Sequence, residues 1–244
     1  VIRWLLAFLL FSTSAFADPG SNTFAAGQNN PPATNALVGY WSFDEGKGST
    51  VYDYSPYLRN GTWTGTLGGQ WVVGKIQYGG NFNGTDNYVS GALPSAATTN
   101  ITLTSWVYIT ANGLALISYI GTSASNGYGF YLNNGSGASG HVVGILGGGV
   151  SINLLTGTAT LNLNQWNFLT LVRRGTNWSL YLNCQLSATG TTNPNTPTLN
   201  FFIGGNAAGS RFAGVVDEVA LWTVPLLREQ VCWLYNAGAG RRLK

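Results

Sequence analysis

Ionisable side chains are scarce in this chain. Asp, Glu, Lys and Arg make up 8% of its 244 residues, about a third of the share usual in soluble domains; methionine is absent and histidine occurs once, as His141. The net charge of +3 is a near-balance of few groups, and Arg173-Arg174 and Arg241-Arg242 are the only adjacent basic pairs. The electrostatic footprint that a nucleic acid requires is missing, so no nucleic-acid partner is expected. Triad catalysis lacks its base. His141 lies in the apolar, glycine-rich stretch Gly140-His141-Val142-Val143-Gly144, where an ordinary half-buried histidine is the expectation. With Glu, Lys and Met depleted and Gly, Ser, Thr and Asn abundant, the composition favours short strands and many turns.

Long hydrophobic runs are missing too. A helical span takes about 20 apolar residues, and the run from Trp4 to Phe11 falls well short of that. Arg3 precedes this run; Ser12-Thr13-Ser14 and the small residues Ala15 and Ala17 follow it. These are the three regions of a secretory signal peptide over residues 1–17, with cleavage after Ala17. The expected mature chain is exported, secreted or at the cell surface, with no membrane span. Residues 18–36, rich in Pro, Asn, Gly and Ala, read as a flexible linker. The length that remains suits one large β domain or two small ones. Cys184 and Cys232 could form one bridge in an oxidising compartment, or stand as two buried thiols.

From Leu37 onward, short apolar segments alternate with turn residues. Strands are expected at Leu37 to Phe43, Ile101 to Ile109, Leu114 to Gly121, Tyr128 to Leu132, Trp166 to Arg173, Trp178 to Asn183, Leu199 to Gly204 and Phe212 to Trp222. Asn-Gly occurs at Asn60, Asn83, Asn112, Asn126 and Asn134, each a tight-turn signal because glycine supplies positive φ. Sequons stand at Asn60, Asn83, Asn100, Asn134 and Asn177; turn chemistry alone accounts for three of them. One helix is expected near the end, with Pro225 at its first position, Leu227, Val231, Leu234 and Tyr235 at helical spacing, and Gly238 closing it.

These segments, in order, carry a resemblance. The opening Trp41-Ser42-Phe43-Asp44-Glu45 is followed by Asp53-Tyr54-Ser55, Asn60-Gly61-Thr62, Phe82-Asn83-Gly84-Thr85 and Ser105-Trp106-Val107. Next come Gln165-Trp166-Asn167, Leu180-Tyr181-Leu182-Asn183, Phe202-Ile203-Gly204 and Val216-Asp217-Glu218-Val219. The chain resembles the laminin G-like jelly-roll domains of the concanavalin A-like lectin and glucanase superfamily. The resemblance implies an all-β sandwich of two antiparallel sheets over residues 37–240, with a short C-terminal helix and residues 241–244 as a tail. It also implies that the first and last strands run side by side. Cys184 stands where the family's strand usually has glycine, so that position transfers no role.

The acids of the domain are Asp44, Glu45, Asp53, Asp86, Asp217, Glu218 and Glu229. A glycosidase needs two carboxyl groups facing each other roughly 5 to 9.5 Å apart. Neighbours on a strand such as Asp217 and Glu218 leave on opposite faces, and the Glu-x-Asp-x-x-Glu strand of hydrolases with this fold is missing. Asp44 and Asp217, brought together by the implied topology, form a candidate structural Ca2+ site; their alternative role is to cap turns. Trp41, Trp106, Trp166 and Trp178 read as core, Trp63 and Trp71 less clearly so. Tyr52, Tyr54 and Tyr57, with Tyr128 and Tyr131 near glycine-rich loops, are the expected exposed rings for a ligand. Residues 119–150 read as variable loops at one rim. The leading expectation is a non-catalytic extracellular module that binds a glycan or a surface protein. The alternatives are a structural or adhesive envelope component and, behind it, a glycoside hydrolase on the same fold.

Overall fold

The computed structural model describes residues 30–93, 99–111, 113, 115–121, 127–132, 141–148, 151–191 and 200–243. The expected signal peptide, the first part of the linker, and the Asn-Gly turns at Asn112, Asn126 and Asn134 lie outside the described residues.

The chain forms β1 (Leu37–Trp41), β2 (Thr50–Val51), β3 (Gly61–Thr64), β4 (Trp71–Val73), β5 (Tyr78–Asn83) and β6 (Tyr88–Ala92). It continues through β7 (Asn100–Ile109), β8 (Ala115–Ile120), β9 (Tyr128–Leu132), β10 (His141–Gly148) and β11 (Ser151–Thr160). The last strands are β12 (Trp166–Arg174), β13 (Asn177–Leu182), β14 (Gln185–Thr191), β15 (Asn200–Ile203) and β16 (Ala213–Trp222), before helix α1 (Arg228–Tyr235). Eight strands make one antiparallel sheet in the order β14-β13-β12-β7-β16-β5-β4, with β1 also paired to β16. Eight make the other, in the order β11-β10-β9-β8-β15-β6-β3-β2. The two face each other as a concanavalin A-like sandwich, with one core between them.

Alternation decides which side chains meet in that core. Along β13, Trp178, Leu180 and Leu182 are buried while the residues between them are less so, as period-2 strands with one covered face require. Nearly every residue of β7 and β12 is buried instead. Their second face is also covered: Trp106, Phe168 and Val172 join Tyr40, Trp222, Val231 and Leu234 in a second apolar cluster under α1. The helix begins at Arg228, three residues after Pro225, and Asn236 ends it in the left-handed region at φ 49°. Cys232 on α1 is bridged to Cys184 in the β13–β14 turn, with Cα atoms 4.9 Å apart. A bridge separated by 48 residues restricts the unfolded chain by about 4 kcal/mol on the loop-entropy scale.

Both ends of the domain are docked. Thr223 donates its amide to the Ala36 carbonyl at 2.9 Å and Pro32 is buried, so the linker expected through residue 36 is already part of the fold from about Pro31. At the other end Leu243 packs on the second cluster, and the Arg241 guanidinium lies 4.6 Å from the Trp233 ring. The expected tail is a strap across the outer face of the first sheet.

Two sequence expectations need correction here. Residues 119–150 contain the end of β8, all of β9 and all of β10, so this stretch is not simply a set of rim loops; its glycines allow strands as well as turns. Asn60-Gly61 makes no hairpin either. Gly61 starts β3, where an added Cβ would lie 2.6 Å from Val89, and glycine is needed for that close approach. Asn83-Gly84 does turn the chain, with Gly84 at φ 72°.

Candidate functional site

β16 is paired along one side by β7, but along the other it is shared. β5 pairs with residues 213–216, and β1 with residues 219–222. Asp217 and Glu218 sit at the junction, where the register with β7 shifts and Glu218 takes φ 50°. This bulge cancels the expected alternation. Asp217 is paired with Trp106, whose side chain belongs to the outer cluster, and Glu218 accepts the hydroxyl proton of Tyr40, in the same cluster. Both carboxyl groups therefore lie on one face, and the argument that neighbours must diverge fails at a bulge. What separates them from chemistry is burial: Asp217 is 0% exposed and Glu218 4%.

Each oxygen of the proposed calcium pair is engaged. Asp217 accepts the amides of Ile76 at 2.9 Å and Glu218 at 2.8 Å. Asp44 accepts the Tyr78 amide at 3.3 Å and pairs with Arg242 of the strap. The two acids thus hold the Gly74–Tyr78 turn at its middle and at its end, which is the turn-capping alternative. Burial and the neighbouring Glu218 push the Asp217 carboxyl well above its ordinary value. Calcium takes six to eight oxygen ligands, and the described residues contain no group of three or more His, Cys, Asp or Glu able to hold a metal. The turn contacts and Arg242 already engage the carboxylate oxygens that a Ca2+ ion would need.

The tyrosines divide into two groups. Tyr52, Tyr54 and Tyr57 are 50%, 42% and 47% exposed, as expected. Tyr128 and Tyr131 are buried, contrary to expectation. β9 is paired on both sides, by β8 and β10, so its side chains occupy the middle of a sheet and not a rim. Tyr128 packs 5.9 Å from the Trp178 ring in the core. Tyr131 meets Tyr119 edge-on at 6.2 Å.

Tyr52 and Tyr54 line an open cleft of about 460 Å3 together with Glu45, Lys47, Ser49 and Thr50. Its mounting is built on Asp53, which is 2% exposed. The Asp53 carboxylate accepts the amides of Tyr40, Ser55 and Arg59 and the Ser55 hydroxyl, all at 2.8 Å. Its own amide is donated to Asn60 Oδ1 at 3.0 Å. One buried carboxylate thereby fixes the chain on both sides of itself, so Tyr52 and Tyr54 project from a rigid base. Across the cleft, Glu45 accepts the Tyr52 amide at 3.0 Å, and the Gly48 carbonyl is held by the Trp71 indole N–H at 2.9 Å. Partial burial, with the carboxylates of Glu45 and Asp44 nearby, keeps the Tyr54 phenol above its ordinary value. At neutral pH it is an uncharged donor and acceptor. Glu45, Lys47 and Asp53 were not expected in this role; the Asp53-x-Ser55 spacing and the glycines either side of Lys47 are the signals that point to it.

A double-sheet jelly roll with a cleft at its rim defines the class. Residues 83–232 match the laminin G family model described as the concanavalin A-like lectin/glucanases superfamily. That is more than half of the chain, which belongs to this family. No curated protein sequence matches it significantly. Among solved structures, the chain is similar to domain 4 of AbnA, a GH43 extracellular arabinanase from Geobacillus stearothermophilus, solved in complex with arabinotriose. Identity is 19% and the TM-score 0.69, over 84% of this chain and 98% of that one. It is also similar to the receptor binding domain of botulinum neurotoxin C/D mosaic serotype (15% identity, TM-score 0.64, 84% and 52% covered). A third is the binding domain of Paraclostridial Mosquitocidal Protein 1 (14%, 0.65, 84% and 53%). The chain spans about half the length of these two toxin domains. Among the described residues, no helix is long and apolar enough to cross a membrane.

Proposed function

We propose that the chain is an extracellular, non-catalytic recognition module that binds a glycan in the cleft of Tyr52 and Tyr54. The observation that carries this reading is the cleft itself. Two half-exposed rings stand on a base fixed by Asp53, beside the polar groups of Glu45, Lys47, Ser49 and Thr50. Flat ring faces cover the apolar face of a sugar while the convergent polar groups meet its hydroxyls. The similar arabinanase domain was solved with arabinotriose, and this supports sugar as the ligand class. The disulfide supports an oxidising, extracellular setting.

Catalysis is left out of the reading because the acids have other work. Asp53 holds the tyrosine loop, Asp44 and Asp217 hold the Gly74–Tyr78 turn, and Asp86 accepts from Thr66 and Asn83 in another turn. A glycan array probed with the wild-type chain and with Tyr52→Ala and Tyr54→Ala variants tests it. Binding to a defined set of polysaccharides that both variants lose is expected. Silence across the array, together with self-association in sedimentation, would turn the reading to an adhesive envelope component.

A further inference from the structure

The loop that walls the cleft carries another exposed ring on its far side. Tyr78 opens β5 and is 48% exposed, and Val73, its cross-strand partner, is 83% exposed. The Tyr78 ring rests on Gly46: a Cβ added there would lie 3.1 Å from it. The Tyr78 amide is donated to Asp44, two residues earlier in that loop, so ring and loop are fixed to each other. The wall between Tyr78 and the cleft is Gly46-Lys47-Gly48. Both glycines have positive φ, 65° and 76°, and an added Cβ at Gly48 would meet nothing within 4 Å. Trp71 and Gln70 donate to the Gly48 carbonyl at 2.9 and 3.2 Å. The wall is therefore low and anchored, and Lys47 is the one side chain on it.

The geometry points to a ligand that does not end at the cleft: a linear oligosaccharide seated on Tyr52 and Tyr54 crosses the glycine saddle and reaches Tyr78 and Val73. This rests on the glycan reading and adds the class of glycan, an extended chain of several sugar units in place of a mono- or disaccharide. The saddle explains why glycine stands on each side of Lys47. Any larger residue at Gly46 would press on the Tyr78 ring, and any at Gly48 would rise into the path. Lys47, on a flexible stem, can donate to hydroxyls along the way.

Calorimetry with ladders of one to six units of arabinan, xylan, mannan and cellulose tests the proposal on the intact chain. For the polymer that binds, affinity is expected to climb by about tenfold or more between the disaccharide and the longest member. Tyr78→Ala removes that gain and leaves the disaccharide unaffected. Gly48→Asn gives the same loss with a melting temperature lowered by only a few degrees, because asparagine tolerates positive φ better than most residues and its side chain enters open space. Equal affinity along the ladder overturns the saddle. So does long-chain binding that both variants leave intact while Tyr52→Ala abolishes it, and in that case the cleft itself stands. If the wild type binds no member of any ladder, cleft and saddle fall together.

Discussion

Replacing Asp53 with alanine tests how the cleft is built. The carboxylate accepts four hydrogen bonds of 2.8 Å, from three backbone amides and the Ser55 hydroxyl. The donors belong to β1, to the turn after Asp53 and to Arg59, so one side chain ties three segments. Bonds to a charged acceptor contribute roughly 1.5–3 kcal/mol each, and a buried donor left without a partner costs about 1–3 kcal/mol. Because the Arg59 amide can reach water and the contributions are not additive, the expected loss is about 3–5 kcal/mol. For a domain of this size 1 kcal/mol shifts the melting temperature by roughly 2–4 °C, so the transition should fall by about 6–20 °C. Urea unfolding followed by tryptophan fluorescence gives the free energy directly, with a lower midpoint at unchanged slope. Asp53→Asn, which keeps one acceptor oxygen, should lose about half as much. An Asp53→Ala variant within about 0.5 kcal/mol of the wild type would refute the reasoning, since that is the scale of an inert surface change.

Changing Cys184 and Cys232 together to serine should lower stability by up to about 4 kcal/mol, and the wild type should lose a similar amount under reductant. The pH dependence of stability should carry the mark of Asp217. Its folded value is raised from 3.8 by burial and by Glu218, so its contribution is complete below about pH 3.8 and declines as pH rises through the folded value. Asp217→Asn should flatten that decline in denaturation curves recorded from pH 4 to 8. Millimolar Ca2+ added after chelator treatment should leave the melting temperature where it was, because the oxygens of Asp44 and Asp217 already accept hydrogen bonds or face Arg242; a rise of several degrees would reinstate the metal site.

Much of the fold was legible in the sequence because its long strands carry their own period. Trp178, Leu180 and Leu182 face one way by spacing alone, and the bounds of β9 follow directly from its apolar run. The turn signal at Asn83-Gly84 held for the same local reason. What could not be read depends on partners distant in the chain. β1 and β5 share one edge of β16, and only that sharing opens the junction where Asp217 and Glu218 bulge to a common face. Tyr128 and Tyr131 looked exposed because glycines flank their segment, yet strand pairing on both sides puts them inside. For the cleft, the exposed trio Tyr52, Tyr54 and Tyr57 was visible as a polar, tyrosine-rich loop. The wall of Glu45 and Lys47 was not, since it arises when Trp71, twenty-odd residues on, pins Gly48. The strap formed by Arg241 to Leu243 has no signature in the sequence, because a basic tail has no apolar period.

The most direct measurement is a calorimetric titration of the glycan selected on the array into the wild type and into a Tyr52→Ala/Tyr54→Ala double variant. A cleft that binds sugar through these rings predicts affinity weaker by about a hundredfold, roughly 2.8 kcal/mol, with the fold kept and the melting temperature lowered by only a few degrees, because both side chains are half in solvent. Wild-type affinity in the double variant would contradict it and move the binding surface elsewhere on the sandwich.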